Sequence, residues 1–93
     1  MEWEELYFKL HLEALGRAGD YAEYREIRDA FWQYPELAAS ALDGDPRDVS
    51  EMAEKCAEGA KTREQAAALL KLARVFGLKL SERTRAKLIA RAL

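Results

Sequence analysis

The chain has 93 residues, of which 49% are apolar and 34% charged, and it carries a net charge of −2 and a single cysteine. A chain of this length forms one domain with a single core, which excludes a long ligand-filled cavity. One cysteine excludes an internal disulfide, and no apolar run approaches the roughly 18 residues that a membrane span requires.

Helix-forming residues predominate, and only two prolines and five glycines interrupt them. This composition predicts an all-α fold, a compact single-domain bundle of about five or six short helices over residues 1–93. Residues 1–60 form an acidic helical part with an aromatic hairpin, and residues 61–93 form a basic helical pair. The acidic amino terminus differs from a secretory signal, so we expect a cytoplasmic protein.

The aromatic hairpin consists of predicted helices 1 and 2. Helix 1 covers Glu2 to Arg17, and helix 2 covers Tyr21 to Gln33 with Asp20 as its N-cap. Helix 1 has two apolar stripes at helical spacing, Trp3-Tyr7-Leu10-Ala14 and Phe8-Leu12-Leu15. So wide an apolar surface predicts burial on more than one side. Together with Tyr34, which follows helix 2, the hairpin holds eight of the nine aromatics. We interpret them as core side chains rather than stacking platforms for single-stranded nucleic acid, because acidic residues surround them.

Two prolines mark the starts of predicted helices 3 and 4. Pro35 begins a helix that ends at Leu42, and Pro46 follows the N-cap Asp45. Helix 4 has a buried stripe at i, i+3, i+4 and i+7, formed by Val49, Met52, Ala53 and Cys56. We therefore interpret Cys56 as a small core side chain rather than a nucleophile.

No catalytic or metal motif accompanies these helices. The acids between Asp43 and Glu54 faintly resemble a calcium loop, but Asp48 stands where the loop requires glycine, and capping of helix 4 explains the same acids. His11 has only one cysteine with which to form a zinc site. The sequence also lacks a nucleophile–base pair and a phosphate-binding glycine loop. We therefore expect no enzyme activity, metal, cofactor or small-molecule substrate.

The carboxyl-terminal pair, helices 5 and 6, has the clearest local signals. Thr62 and Gln65 form a capping box at the start of helix 5, Gly77 supplies a left-handed stop, and Ser81 caps helix 6. The predicted core face of helix 5 consists of Ala66, Leu69, Leu70, Ala73 and Phe76. The predicted apolar side of helix 6 consists of Thr84, Leu88, Ile89, Ala92 and Leu93.

Charge separates the two parts of the chain. Residues 1–60 hold fifteen of the seventeen carboxylates against six basic residues, whereas residues 61–93 hold nine basic residues against two carboxylates. This polarity either neutralises itself within the folded domain, or favours an anionic partner or head-to-tail contact between copies in a homo-oligomer. The predicted nucleic-acid or partner-binding residues are basic side chains of helices 5 and 6. They are Arg63, Lys71, Arg74, Arg83, Arg85, Lys87 and Arg91.

Helix 6 divides into a basic and an apolar side. Arg83, Lys87 and Arg91 form one ridge at four-residue spacing. Arg85 falls on the apolar side, where a buried unpaired guanidinium is costly, so we expect it to meet a carboxylate of the acidic half or of a partner. The spacing at the end of helix 5 is that of a helix-turn-helix, but Arg83 occupies its expected inward position. A strict helix-turn-helix is therefore disfavoured.

The segment from Leu69 to Leu88 resembles part of a known family. The run Leu72-Ala73-Arg74-Val75-Phe76-Gly77-Leu78, followed by Ser81, Arg83 and Arg85, is similar to the carboxyl-terminal portion of one family of tailed-phage terminase small subunits. Leu80 stands where that family commonly has proline. The resemblance implies a non-catalytic, ring-forming, DNA-recognising subunit that regulates a separate motor, with Arg83 and Arg85 as the matching positions.

Two functions stay open from the sequence. The first is a small nucleic-acid-associated or regulatory subunit of the terminase kind. The second is a small phage-type inhibitor or accessory protein that docks through its acidic surface on a larger protein or nucleoprotein complex. Neither function involves a membrane.

Overall fold

The computed structural model describes residues 2–93, which form six α-helices joined by short connections. The helices are α1 (Trp3–Arg17), α2 (Tyr21–Gln33), α3 (Pro35–Asp43), α4 (Pro46–Gly59), α5 (Arg63–Phe76) and α6 (Glu82–Ala92). Residues 2–93 contain no strand, so the all-α prediction is confirmed. Met1, the first residue of the predicted domain 1–93, lies outside the described residues.

Polar side chains fix four of the helix starts. Oxygens of Asp20, Asp45 and Ser81 accept hydrogen bonds from backbone N–H groups in the first turns of α2, α4 and α6. At the start of α5, Thr62 Oγ1 accepts from the Gln65 N–H at 3.0 Å, and Gln65 Oε1 accepts from the Thr62 N–H at 3.1 Å. These caps, all predicted, satisfy N–H groups that a helix leaves unpaired, and each is worth about 1 kcal/mol.

The other helix boundaries agree with the sequence within one residue. Glu2 is the N-cap of α1 rather than its first residue, and α3 extends through Asp43, one residue beyond the predicted end. The carboxyl end of α5 is Gly77, whose φ of 65° lies in the left-handed region that favours glycine. Leu78 then folds back and is buried, and its N–H bonds to the Ala73 carbonyl oxygen at 2.8 Å, as expected for this stop.

Helices α2 and α5 form the centre of the bundle. α1 packs on α2 and α3, while α6 packs on α5 and α4. The largest fully buried side chains come from three different helices: Ile27, Leu37, Leu69 and Leu72. Leu72 lies outside the predicted core face of α5, because α5 is covered by α2, α4 and α6 and therefore buries more of its circumference.

The predicted two-sided burial of α1 is wrong. Leu6, Leu10 and Ala14 are buried against the rest of the bundle, whereas Phe8, Leu12 and Leu15 on the far side of the helix are exposed. The interpretation of the hairpin aromatics as core side chains is consequently wrong for five of them. Trp3, Tyr7, Phe8, Tyr21 and Trp32 are exposed.

Candidate functional site

Two predicted binding residues on α5 are engaged inside the domain. The Lys71 ammonium lies 2.7 Å from a carboxylate oxygen of Glu26, and the Arg74 guanidinium lies 2.9 Å from one of Glu23. Both carboxylates belong to α2, so part of the basic segment neutralises part of the acidic one across the central helix pair. At this contact, therefore, the acidic and basic parts of the chain neutralise each other within the folded domain, which is one of the alternatives that the sequence left open.

Two further predicted residues bind backbone oxygens. Arg91 Nη1 donates to the Lys61 carbonyl at 2.9 Å, and Arg63 Nη2 donates to the Leu93 carbonyl at 3.2 Å. These bonds tie the end of α6 to the start of α5. Because its guanidinium is already hydrogen-bonded within the domain, Arg91 is less available to an external partner than its position in the predicted basic ridge indicated.

Arg83, Arg85 and Lys87 are the predicted site residues that stay outward. All three are exposed, and within residues 2–93 none forms an ion pair or a side-chain hydrogen bond. Arg85 is exposed and meets no carboxylate of the acidic half within residues 2–93, because the apolar side of α6 is narrower than predicted: Ile89 and Leu93 are also exposed. The internal alternative for Arg85 is therefore wrong, and contact with the anion of a partner stays a prediction.

Glu54 of α4 sets the position of α6. Its carboxylate accepts hydrogen bonds from the Thr84 hydroxyl at 2.6 Å and from the Ser81 N–H at 2.5 Å. These two bonds to the ionised form lower the pKa of Glu54 below its ordinary value. The hydrogen bond to Glu54 explains why the polar Thr84 is partly buried on the inner side of α6.

The most prominent surface feature lies on the α1–α2 hairpin, which the sequence interpretation assigned to the core. Seven of the nine large exposed apolar side chains belong to it. We call these seven the aromatic face: Trp3, Tyr7, Phe8, Leu12, Leu15, Tyr21 and Trp32. Trp3, Phe8 and Trp32 are each more than 60% exposed. The sequence feature that could have indicated this face is the second apolar stripe of α1. Packing on one side of a helix does not bury two apolar stripes.

Ring contacts make the face continuous from α1 to α2. The Tyr7 and Trp32 rings meet edge to face with centroids 5.1 Å apart. Further along, the His11 and Tyr24 rings lie 5.5 Å apart, and His11 Nδ1 and the Tyr24 hydroxyl are joined by a 2.7 Å hydrogen bond. These contacts hold the rings in fixed places, which lowers the entropy that a binding partner must remove.

Between the two helices the aromatic face contains a groove of about 210 Å³. Its walls are almost entirely apolar, and Arg28 lies beside it with its guanidinium 5.7 Å from the centre of the Tyr24 ring. The residues that form the walls include Trp3, Leu6, Tyr7, Leu10, Phe31 and Trp32. The groove offers shape and apolar contact rather than reactive groups.

Three carboxylates line two shallow depressions that include Trp3, at one end of the face. Glu4 lies with Trp3 beside a shallow depression that includes Phe8, and Glu36 and Asp43 of α3 lie with Trp3 beside another. In the described chain these three carboxylates have no ion pair and accept no side-chain hydrogen bond. This end of the face is therefore acidic as well as apolar.

The part of the chain that the structure describes brings no metal-binding cluster together. Residues 2–93 contain no group of three or more histidine, cysteine or carboxylate side chains suited to a metal ion. Cys56 is half-buried, and burial together with the nearby Glu36 charge raises the pKa of its thiol. Its packing against the core agrees with the predicted structural role. None of the described helices is both long and apolar enough to cross a membrane.

No protein-family model, no curated protein and no solved structure matches this sequence.

Proposed function

We propose that the protein is a small non-enzymatic accessory protein that docks on a larger protein through the aromatic face. The observation that carries this proposal is the exposure of seven large apolar side chains on one hairpin. Scattered single apolar residues are normal on protein surfaces, whereas contiguous patches mark contacts with partners. The face lies within the acidic part of the chain, so the docking surface is apolar at its centre with carboxylates at one end.

The dimensions of the face favour a helical segment as its occupant. From Trp3 to Leu15 it extends about 18 Å along α1, the length of roughly twelve helical residues. A fully buried aromatic side chain hides roughly 150–250 Å² of surface. The seven side chains of the aromatic face are 43–69% exposed, so together they offer on the order of 700 Å² of apolar surface to a partner. That area approaches the roughly 800 Å² that each partner contributes to a standard interface.

A paired set of variants tests docking. The tagged chain is purified from its native cells, and the retained protein is then reconstituted with purified variants. We expect Phe8→Ser/Leu12→Ser to weaken binding at least tenfold, because it removes two exposed apolar side chains from the interface. Glu51→Ser/Lys55→Ser, on the exposed side of α4, is the matched control and leaves the Kd unchanged.

Two results contradict the docking proposal. One is an equal Kd for the parent and the Phe8→Ser/Leu12→Ser variant. The other is light scattering that finds only a second copy of this chain on the face. Circular dichroism of each variant separates loss of binding from loss of the fold.

A second candidate function rests on α6. Arg83, Arg85 and Lys87 are exposed and have no carboxylate partner in residues 2–93, whereas Lys71 and Arg74 are neutralised. Free cations on one short helix suit contact with the phosphates of nucleic acid. The resemblance to terminase small subunits supports the same candidate, in which the protein is a DNA-recognising regulatory subunit that uses Arg83 and Arg85.

A salt series tests the nucleic-acid candidate. We expect Arg83→Glu/Lys87→Glu to weaken binding of double-stranded DNA and to reduce the slope of log affinity against log salt by about 2, because two phosphate contacts are lost. Arg25→Glu/Arg47→Glu makes the same charge change on exposed residues of the acidic half and serves as the control. If the Arg83→Glu/Lys87→Glu variant binds DNA with the same affinity and the same salt slope as the parent, α6 is not a phosphate-binding helix.

A further inference from the structure

The charges beside the aromatic face identify the chemistry of its partner. Glu4, Glu36 and Asp43 gather around Trp3, and two of them come from α3, far from α1 in sequence. The fold therefore brings together carboxylates that the chain does not place together. A partner that covers Trp3 must remove water from beside these three negative charges.

Three carboxylates of the first hairpin, Glu13, Glu23 and Glu26, each form an ion pair within the domain. The three carboxylates beside Trp3 form none within the described chain. Covering unpaired carboxylates with an apolar surface alone costs free energy. A partner with cations at this position avoids that cost and gains from complementary charge.

The opposite end of the aromatic face, at Leu12 and Leu15, differs. There the nearby carboxylate of Glu13 is paired with the guanidinium of Arg17 at 2.8 Å. The face therefore has direction, with an acidic end at Trp3 and an apolar end at Leu12 and Leu15. We expect a helix that lies along the face to bind in one orientation.

We propose that the occupant of the aromatic face is an amphipathic helix of another protein, with apolar side chains along one side and lysine or arginine at the end beside Trp3. This inference rests on the proposed docking function and adds the charge and direction of the partner. The apolar side chains pack along α1 on Phe8 and Leu12 and beside Trp3, as in other complexes in which a helix binds an apolar surface. The cations meet Glu4, Glu36 and Asp43.

A displayed library of 18-residue helices tests the partner chemistry. Its apolar positions vary among apolar residues, and its flanking positions carry lysine, glutamine and glutamate in equal amounts. Selection on the parent chain, with Phe8→Ser/Leu12→Ser as the counter-selection, should enrich helices with lysine at one end. The change in tryptophan emission of the chain, which has two tryptophans, then gives the affinity of each selected peptide.

The variant Glu4→Gln/Asp43→Asn tests whether the carboxylates beside Trp3 contribute to binding. We expect the selected basic peptides to bind it roughly five- to tenfold more weakly, because two exposed ion pairs are lost. Glu51→Gln/Glu58→Gln removes the same charge from the exposed side of α4 and should leave binding unchanged.

The outcomes separate this inference from the docking function. Selected helices that depend on Phe8 and Leu12 but show glutamine or glutamate as often as lysine overturn the charge inference alone. Failure of any helix to bind in a manner that depends on Phe8 and Leu12 overturns the helical occupant. Docking itself fails only if the reconstituted partner also binds the Phe8→Ser/Leu12→Ser variant as tightly as the parent.

Discussion

At the scale of single residues, Glu54 couples α4 to α6 through its carboxylate. The hydrogen bonds from the Thr84 hydroxyl and the Ser81 N–H need an acceptor, and the ionised form accepts them best. Their effect lowers the pKa of Glu54 from its ordinary value of 4.5. Stability from this group is therefore present above pH 4.5 and is lost as the pH falls through the lower pKa of the folded state.

Replacing this carboxylate should change stability in a pH-dependent way. We expect Glu54→Gln to lower the free energy of unfolding by on the order of 1 kcal/mol at pH 7, because charge-assisted hydrogen bonds become neutral ones. Below the lowered pKa of the folded state the parent carboxylate is itself protonated, so the difference between parent and variant should shrink as the pH falls below 4.5. Urea unfolding at pH 7 and at lower pH values down to pH 3 measures this difference.

The matched control for that measurement is Glu51→Gln, which neutralises an exposed carboxylate of the same helix that accepts no hydrogen bond. It should show no comparable difference at either pH. A Glu54→Gln variant that is equally stable at pH 7, or that is destabilised equally at pH 7 and pH 3, would show that the carboxylate charge does not hold α6 in place.

At the scale of helices, local signals were sufficient to predict most boundaries. The caps at Asp20, Asp45, Thr62 and Ser81 depend on residues within one turn, and so does the left-handed stop at Gly77. Such interactions can be predicted from sequence because both partners lie a few positions apart. The all-α fold and the six helices follow from the same local preferences.

The surface of α1 could not be predicted in the same way. Helical spacing shows which side chains share a side of the helix, but it does not show how many neighbours cover that side. Here the side of α1 that carries Leu6 and Leu10 is buried against the bundle, whereas Phe8, Leu12 and Leu15 stay exposed. A second apolar stripe on a short helix therefore indicated either a second neighbour or a docking surface.

The candidate site on α6 was predictable in part. Arg83 and Lys87 are outward as their spacing indicated. The engagement of Lys71 by Glu26 depends on two residues 45 positions apart in sequence, and the bond from Arg91 to the Lys61 carbonyl spans 30 positions. Side-chain partners at such separations follow from the packing of helices, which composition and spacing do not determine.

At the scale of the whole molecule, contacts within the domain neutralise the acidic and basic parts of the chain only in part. The contact between α2 and α5 neutralises part of both poles through Glu23, Glu26, Lys71 and Arg74. The charges that stay unpaired within residues 2–93 include those at the acidic end of the aromatic face and on the exposed basic side of α6. The domain thus presents two chemically distinct surfaces.

One measurement tests most directly whether α1 uses one side for folding and the other for docking. A photoreactive residue is placed at exposed positions of α1 in the chain expressed in its native cells, and the yield of adduct with the partner is recorded. We expect high yields at positions 8, 12 and 15 and a low yield at position 9, because only the former lie on the aromatic face. Equal yields at all four positions, or no adduct at 8, 12 and 15, would contradict a docking surface on α1.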